Sequence, residues 1–569
     1  MDHIAATPTG QAGPAFREGG RILVDALRIH GVDRVFGVPG ESSLPIFDAL
    51  RDPAAGVQFV VCRHEAAASH MAEADGKMLG RPGVCLVSRG PGAMHAAVGI
   101  HTAFMDSTPM ILLIGQVPRR FRGRGAFQEM DYTRVFASTS KWAAEIEDPA
   151  LIPEYLSRAF HMAVSGRPGP VILSLPEDML EEECAVADLP RFVPSTPAPQ
   201  PDLLARMRIL LQEAKRPLVV LGGTGWTPQA FDDLQAFVTA NDLPVAAAFR
   251  SQHLIDNRSE NYIGDLSLGM HPDVAARVAG ADLLLVIGDH LGEVVTRGYR
   301  IVTPPQPQQR LIHVHQDGDE LGRVFHAELP IQSGAAPFAA AARQLPPVDA
   351  SAWRDWRREA RESYEARHRP PPASNAGVDL AQVCIFLRDR LPPDSIVTNG
   401  AGNYAGWVHR FHSYRQLGSQ LAPKSGCMGY GLPAAIAAQL RYPDRKVVAF
   451  AGDGCFMMAA PDFATAVQYG LPVVVIVVNN GMYGSIRMHQ ERRYPGRPSA
   501  TDLRNPDFAA MAITFGAHGE LVTETADFAP AFERALASGL PALIELRTDP
   551  EQITPDATIS RIRGTAVPA

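Results

Sequence analysis

Asp453 sits between two glycines, and 480 − 453 = 27 positions later an Asn pair closes an apolar run: AGDGCFMMAAPDFATAVQYGLPVVVIVVNN, residues 451–480. Both side-chain types offer hard oxygen donors, which suit a Mg²⁺ ion held partly by a substrate's phosphates. GDG or NNG alone is only a turn signal. Together they set a carboxylate and an amide where two neighbouring elements end. A second candidate is Glu65, which closes FVVCRHE, residues 59–65. A Glu in such a place is ordinarily a solvated loop carboxylate, so any chemistry depends on what the fold puts beside it.

The elements around Asp453 can be read from their patterns. KVVAF (446–450) and LPVVVIVV (471–478) are short, β-branched and apolar, as buried strands are. Between them CFMMAAPDFATAVQ (455–468) is expected to form one helix after a turn on Gly452 and Gly454. Such a β-α-β unit belongs to a parallel sheet, whose binding groups gather at the strands' carboxyl ends. The helix start favours an anion at the same edge. The expectation is a metal–diphosphate site.

At 569 residues the chain is long enough for three domains of about 180 residues. Its 46% hydrophobic and 20% charged residues describe an ordinary globular protein. A net charge of −8, with no Lys/Arg block, argues against a nucleic-acid partner. MDHIAATPTGQAGPAFREGG has no apolar h-region, and the longest apolar runs are too short to span a bilayer, so a cytoplasmic protein with no membrane association is expected. Cysteines at 62, 85, 184, 384, 427 and 455 form no CxxC pair and are expected as reduced thiols. Cys455 adjoins the GDG turn but has no base beside it in sequence, so it is not expected to be a nucleophile.

Two Pro-rich seams divide the chain: LPRFVPSTPAPQPD (189–202), and a charged helix followed by three prolines within 344–375. Between them RPLVVLGGTGW, LPVAAAF, ADLLLVIGD and RLIHVHQ read as buried strands; the GGTG turn lacks the full dinucleotide-loop spacing. Expected domains are 14–188, 200–345 and 374–560. GRPGVCLVSRGPGAMHAA (80–97) and YPDRKVVAFAGDGCFMMAA (442–460) both run strand, Gly-rich turn, helix, as a duplicated nucleotide-type fold would.

GDG…NN, with RHEAAASHMAEADGKMLG (63–80) and MGYGLPAA (428–435), resembles the thiamine-diphosphate (ThDP)-dependent enzymes, and within them the acetolactate synthase large subunit and its relatives. The likeness runs from about residue 18 to about residue 547. Its pieces keep the family order: GVPG (37–40), RHE (63–65), GPG (90–92), GQV (115–117), FQE (127–129), GRPGPV (166–171), MGYGLPAA, GDG (452–454) and NN (479–480). The resemblance implies an α/β fold of three doubly wound parallel-sheet domains: pyrimidine-binding, central and diphosphate-binding.

The resemblance also assigns residues. Asp453, Asn480 and the carbonyl of Met482 would hold Mg²⁺. Gly454 and Cys455 would meet the diphosphate, and Gly402, Asn403 and Tyr404 would line the phosphate and reaction side. Gly426 would hold the cofactor's amino group and Met428 would wedge under its bent form, a task that suits an adaptable thioether. Tyr483 and Gly484 complete the cofactor-binding set. Glu65 would bond the pyrimidine nitrogen and so promote deprotonation of the thiazolium. Gln128 would border the substrate, with Lys141 in SKW as a further candidate. In the family this Glu and the metal site belong to different subunits, which implies a homodimer or homotetramer.

Three residues depart from the synthase pattern: His489 where synthases place a Trp, Glu41 after GVPG, and His95 in GPGAMHAA in place of a common Asn. His95 is a candidate catalytic residue, as a proton relay, or a hydrogen-bonded structural side chain. IGDHLGEVVTRGY replaces the RFDDR run of FAD-binding synthases, so FAD is not expected. The expected function is a ThDP- and Mg²⁺-dependent carboligase that decarboxylates pyruvate or a similar 2-oxo acid and joins the resulting enamine to a second carbonyl. The alternative is a 2-oxo acid decarboxylase or C–C lyase of the same family. A catalytically silent ThDP-binding subunit would have lost Glu65 or Asp453, and both are present.

Overall fold

The computed structural model describes residues 15–369 and 377–565; the first 14 residues, the prolines 370–372 of the second seam and the boundary expected at 374 lie outside them. Three six-stranded sheets follow one another along the described chain, each with all its strands parallel. The first joins, in spatial order, Gln58–Val61, Arg34–Gly37, Gly83–Val87, Met110–Gln116, Pro170–Pro176 and Trp142–Glu145. The second joins Tyr262–Leu266, Val245–Ala248, Pro217–Leu221, Leu283–Ile287, Arg310–His315 and Leu329–Gln332. The third joins Gln420–Leu421, Ile396–Asn399, Val447–Gly452, Val474–Asn479, Ala542–Arg547 and His518–Val522.

Counted along the chain, the first and third sheets share one strand order, 2-1-3-4-6-5, so their likeness extends from the Gly-rich turns to the whole topology. The second runs 3-2-1-4-5-6, the order of dinucleotide-binding sheets. The central strands Met110–Gln116 and Val474–Asn479 are buried at every residue. Helices cover both faces of a parallel sheet, which is why these strands are continuously apolar rather than alternating. Among the described residues no helix is long and apolar enough to cross a membrane, and all six cysteines are free.

The helix expected over 455–468 is broken. Asp453–Met457 is helical, Ala460–Asp462 is a 3₁₀ turn and Phe463–Gln468 is a separate helix. Pro461 explains the break, since it cannot donate to the preceding turn and its ring crowds the backbone there. The expected turn is also tighter, with Gly452 ending the strand and capping the helix while Gly454 lies inside it.

The first and third sheets are held together within one chain. Helix Glu65–Leu79 lies against helix Gly431–Arg441. Lys77 on the former pairs with Glu73 at 2.9 Å and Asp106 at 2.5 Å, and the Tyr430 hydroxyl donates to Glu73 at 2.6 Å. Arg441 grips Asp75 at 2.8 Å and Asp33 at 2.5 Å. Asp75 is buried, so Arg441→Ala leaves a carboxylate without its counter-ion. The expected cost is about 3 kcal/mol, typical of breaking one side of a buried pair. Chemical denaturation should show the lower midpoint; an unchanged midpoint would mean the pair is solvated in solution.

Candidate active site

Strands Val447–Gly452 and Val474–Asn479 are direct neighbours in the third sheet, so Asp453 and the Asn pair emerge side by side at its carboxyl edge. A cavity of about 250 Å³ opens there. Its walls include Gly402, Asn403, Tyr404, Gly426, Met428, Asp453, Gly454, Cys455, Asn480, Met482, Tyr483 and Gly484, the full cofactor-binding set of the sequence analysis. Glycine lets backbone form much of this wall. A Cβ on Gly454 would lie 2.5 Å from the Tyr483 ring. Gly426 and Gly429, with φ of 70° and 80°, turn the loop that carries half-buried Met428.

Asp453 is 2% exposed. Its Oδ1 accepts the Gly454 N–H at 2.8 Å, and Oδ2 accepts the Gly481 N–H at 2.9 Å and the Asn505 amide at 2.8 Å. Burial pushes its carboxyl above the usual carboxylate range, against the pull of those donors. No cationic side chain is among these partners, so a bound cation would complete the charge balance.

The two asparagines of the pair differ in role. Asn480 lines the cavity, and its Oδ1 accepts the Met482 N–H at 3.2 Å. Asn479 faces inward as a strut: its amide donates to Glu545 at 2.7 Å and its oxygen receives Gly481 N–H and Asn505, each at 3.1 Å. Asn505 carries no signal in the sequence pattern. It comes from the loop before helix Phe508–Thr514 and bonds both Asp453 and Asn479.

Tyr404 and Cys455 brace the cavity floor. The Tyr404 hydroxyl accepts the Gly400 N–H at 3.1 Å and lies 3.4 Å from the Cys455 sulfur, which in turn accepts the Gly429 N–H at 3.2 Å. A thiol engaged in this way, with no base beside it, fits a wall rather than a nucleophile. Asn403 donates to the Ile553 carbonyl at 3.0 Å and receives the Ser485 hydroxyl at 2.8 Å. His489 is exposed on helix Gly484–Arg493, one turn beyond the cavity-lining Ile486.

Glu65 and its neighbours form a second cluster, at the carboxyl edge of the first sheet. Glu65 opens helix Glu65–Leu79, capped by His64, whose Nδ1 accepts the Ala66 N–H at 3.1 Å. His95, on helix Gly90–Asp106, places Nδ1 2.9 Å from Glu65 Oε2, and its ring stacks on His64 with centroids 4.6 Å apart. Gln128, in a left-handed conformation at φ 65°, packs against Gly90 at the start of the same helix. Arg89, which caps that helix, donates to Glu41 at 2.7 Å. Behind Glu65 lies Asp462, whose Oδ1 accepts the Arg63 N–H at 2.9 Å and whose carboxyl burial pushes up to about 6.

Lys141 does not join either cluster. It immediately precedes strand Trp142–Glu145 and bonds the Ser165 carbonyl, at the amino edge of the sheet that carries Glu65 at its carboxyl edge. Burial lowers its ammonium to about 8, but the strand direction removes it from the expected substrate border.

Comparison with known proteins agrees with this architecture. The N-terminal TPP binding domain of the thiamine pyrophosphate enzymes matches residues 17–135, their central domain matches 204–342, and their C-terminal TPP binding domain matches 400–546. The acetolactate synthase large subunit of Parasynechococcus marenigrum is 34% identical over 556 residues, covering 94% of this chain and 88% of that protein. The acetolactate synthase isozyme 2 large subunit of Escherichia coli is 31% identical over 540 residues, covering 93% and 95%. That of Corynebacterium glutamicum is 31% identical over 543 residues, covering 92% and 85%.

Proposed function

Because the chain belongs to the thiamine pyrophosphate enzyme family, we propose that it is a ThDP- and Mg²⁺-dependent carboligase of the acetolactate-synthase type. Its donor is pyruvate or a similar 2-oxo acid and its acceptor a second carbonyl compound. The observation that carries this reading is the glycine-walled cavity with a buried carboxylate at Asp453, which has no cationic side chain among its partners, and the amide of Asn480 beside it. Two hard oxygen donors on adjoining strand ends suit Mg²⁺, and a wall of backbone with one adaptable Met suits a diphosphate-bearing heterocycle. The residues therefore fit the group.

In this reading Asp453, Asn480 and the Met482 carbonyl hold the metal. Gly454 and Cys455 would meet the diphosphate, Gly426 would meet the amino group, and Met428 would pack against the rings. Asn403, Tyr404, Tyr483 and Gly484 close the walls. When bound, the cofactor supplies the electron sink that decarboxylation of a 2-oxo acid needs. Glu65 would hold a proton at its carboxyl oxygen facing that group, and Gln128 would border the substrate. The units that bring these parts together are taken as 14–188, 200–345 and 374–560.

Glu65, Gln128 and His95 do not line the cavity of their own chain. A homodimer with sites between subunits answers this, one copy giving Glu65 and the other the metal cradle. The surface supports it. Met94, Val98 and Met105 form an exposed apolar stripe on helix Gly90–Asp106, and Met457, Met458 and Ile486 are exposed near the cavity. Apolar faces of this kind mark association surfaces.

Incubation with isotopically labelled pyruvate, ThDP and Mg²⁺, followed by product analysis, tests the function. An acetolactate-type ligation product is expected. Aldehyde alone would favour the decarboxylase reading, which the direct His95–Glu65 contact keeps in view. No turnover across a range of 2-oxo acids and acyloins would contradict both. His489→Trp is expected to shift the product distribution or acceptor range, because it adds bulk one turn from Ile486. An identical profile across several 2-oxo acids would remove His489 from the site.

A further inference from the structure

We propose that Glu129 is a positioning residue: its carboxylate folds the turn over 122–129 that presents Gln128 to the substrate. This rests on the reading of Gln128 as a residue that borders the substrate. Between the 3₁₀ turn Arg119–Phe121 and helix Tyr132–Val135 the chain forms no helix or strand, so its backbone N–H groups need other partners. Glu129 supplies them. Its Oε1 accepts the Gly123 N–H at 2.6 Å and its Oε2 the Ala126 N–H at 3.1 Å. The Glu129 N–H in turn donates to the Ala126 carbonyl at 3.0 Å. Gly123 and Gly125, at φ of 71° and 68°, adopt left-handed conformations without strain and let the turn close on that carboxylate.

Gln128 needs such support. A residue with a side chain holds a φ of 65° only where its surroundings over-determine it. Glu129 bonds Ala126 through both its carboxylate and its own N–H, so it spans the strained position from either side. Gly90 completes the seat. A Cβ there would lie 3.0 Å from the Gln128 carbonyl oxygen, and the Gly90 N–H donates to the Tyr132 hydroxyl at 2.8 Å. The helix that begins at Gly90 also adjoins Glu65: a Cβ on Gly92 would lie 3.3 Å from Glu65 Oε1. The turn therefore delivers Gln128 to the same helix start that faces Glu65.

A second carboxylate ties the turn to the sheet. Arg122 Nε lies 3.3 Å from Glu129 Oε1, and Arg122 Nη1 grips both oxygens of Glu145 at the end of edge strand Trp142–Glu145. Ser174 donates to Glu145 at 2.8 Å, and Gln116 donates to the Met130 carbonyl at 2.9 Å. Contacts thus run from the sheet through Arg122 and Glu129 to Gln128. The Gly123 N–H holds the Glu129 carboxyl below the usual carboxylate range, so the charged form is the one the turn is built on. Asp131, the neighbouring acid, is spent on the cap of helix Tyr132–Val135. All these contacts lie within one chain, so closing this edge against a partner copy leaves them in place.

Steady-state kinetics with pyruvate, on protein saturated with ThDP and Mg²⁺, test this. Glu129→Ala should raise KM about 10-fold, short of the roughly 100-fold that misplacing a reacting group can cost, with a smaller fall in kcat. Affinity for ThDP should hold, because Glu129 touches none of the cavity walls. Gln128→Ala should raise KM to the same extent, and the double variant should be no worse than either single one. An unchanged KM in Glu129→Ala would overturn the assignment, as would a double variant whose loss is the product of the two single losses. Glu129→Gln keeps the side-chain length and one acceptor oxygen, so it should give a smaller rise. It carries the same comparison if the alanine variant does not fold, and wild-type KM in it would count equally against the role. A wild-type KM in Gln128→Ala would instead refute the reading of Gln128 on which the role of Glu129 rests.

Discussion

Asp453→Ala is expected to abolish Mg²⁺-dependent binding of ThDP. The carboxylate is buried, aimed by three N–H donors and free of any cationic side chain, so it is the one full negative charge in the cavity wall. Outer partners of metal ligands commonly cost about 10- to 100-fold in affinity, and removal of the ligand itself should exceed that. Calorimetric titration with ThDP at saturating Mg²⁺ reads the effect directly. Because Asp453 also ties Gly481 and Asn505, Asp453→Asn is the companion variant: it keeps the shape and loses the charge. Undiminished affinity in Asp453→Asn would remove the metal assignment, whatever happened to the alanine variant.

Glu65→Gln should lower CO₂ release from pyruvate by about 100-fold or more, the scale of a lost acid–base group. Cofactor affinity should change far less, since Gln keeps a polar contact of the same length. Release at the wild-type rate would mean that Glu65 takes no part in the chemistry and serves only at the start of its helix.

Much of the third-sheet site was legible in the sequence. β-branched runs marked the strands at 447–452 and 474–479, and strand polarity alone then put Asp453 and the Asn pair at one edge. The same reasoning, applied to Lys141, would have rejected it, because a residue just before a strand lies at the amino edge. Pro461 was visible and should have broken the predicted helix. Asn505 was not legible, because a loop amide that reaches back to Asp453 leaves no periodicity or spacing to find. Nor was the Glu65–His95 contact. The two residues are 95 − 65 = 30 positions apart, and only the packing of their helices brings them together. His95 stood out as a departure, but its partner needed the fold. The shared 2-1-3-4-6-5 order likewise rests on pairings between distant strands.

Two clusters from two copies of the chain should make one ThDP site. Co-expression of differently tagged Glu65→Gln and Asp453→Ala chains, with isolation of the mixed dimer, decides whether they do. Each homodimer should be inactive. In a two-fold dimer one site of the mixed species carries both substitutions and the other carries neither, so about half of the wild-type CO₂ release should return. A mixed dimer as inactive as its parents would place Glu65 and Asp453 in the same chain's site and rule out a site shared between copies.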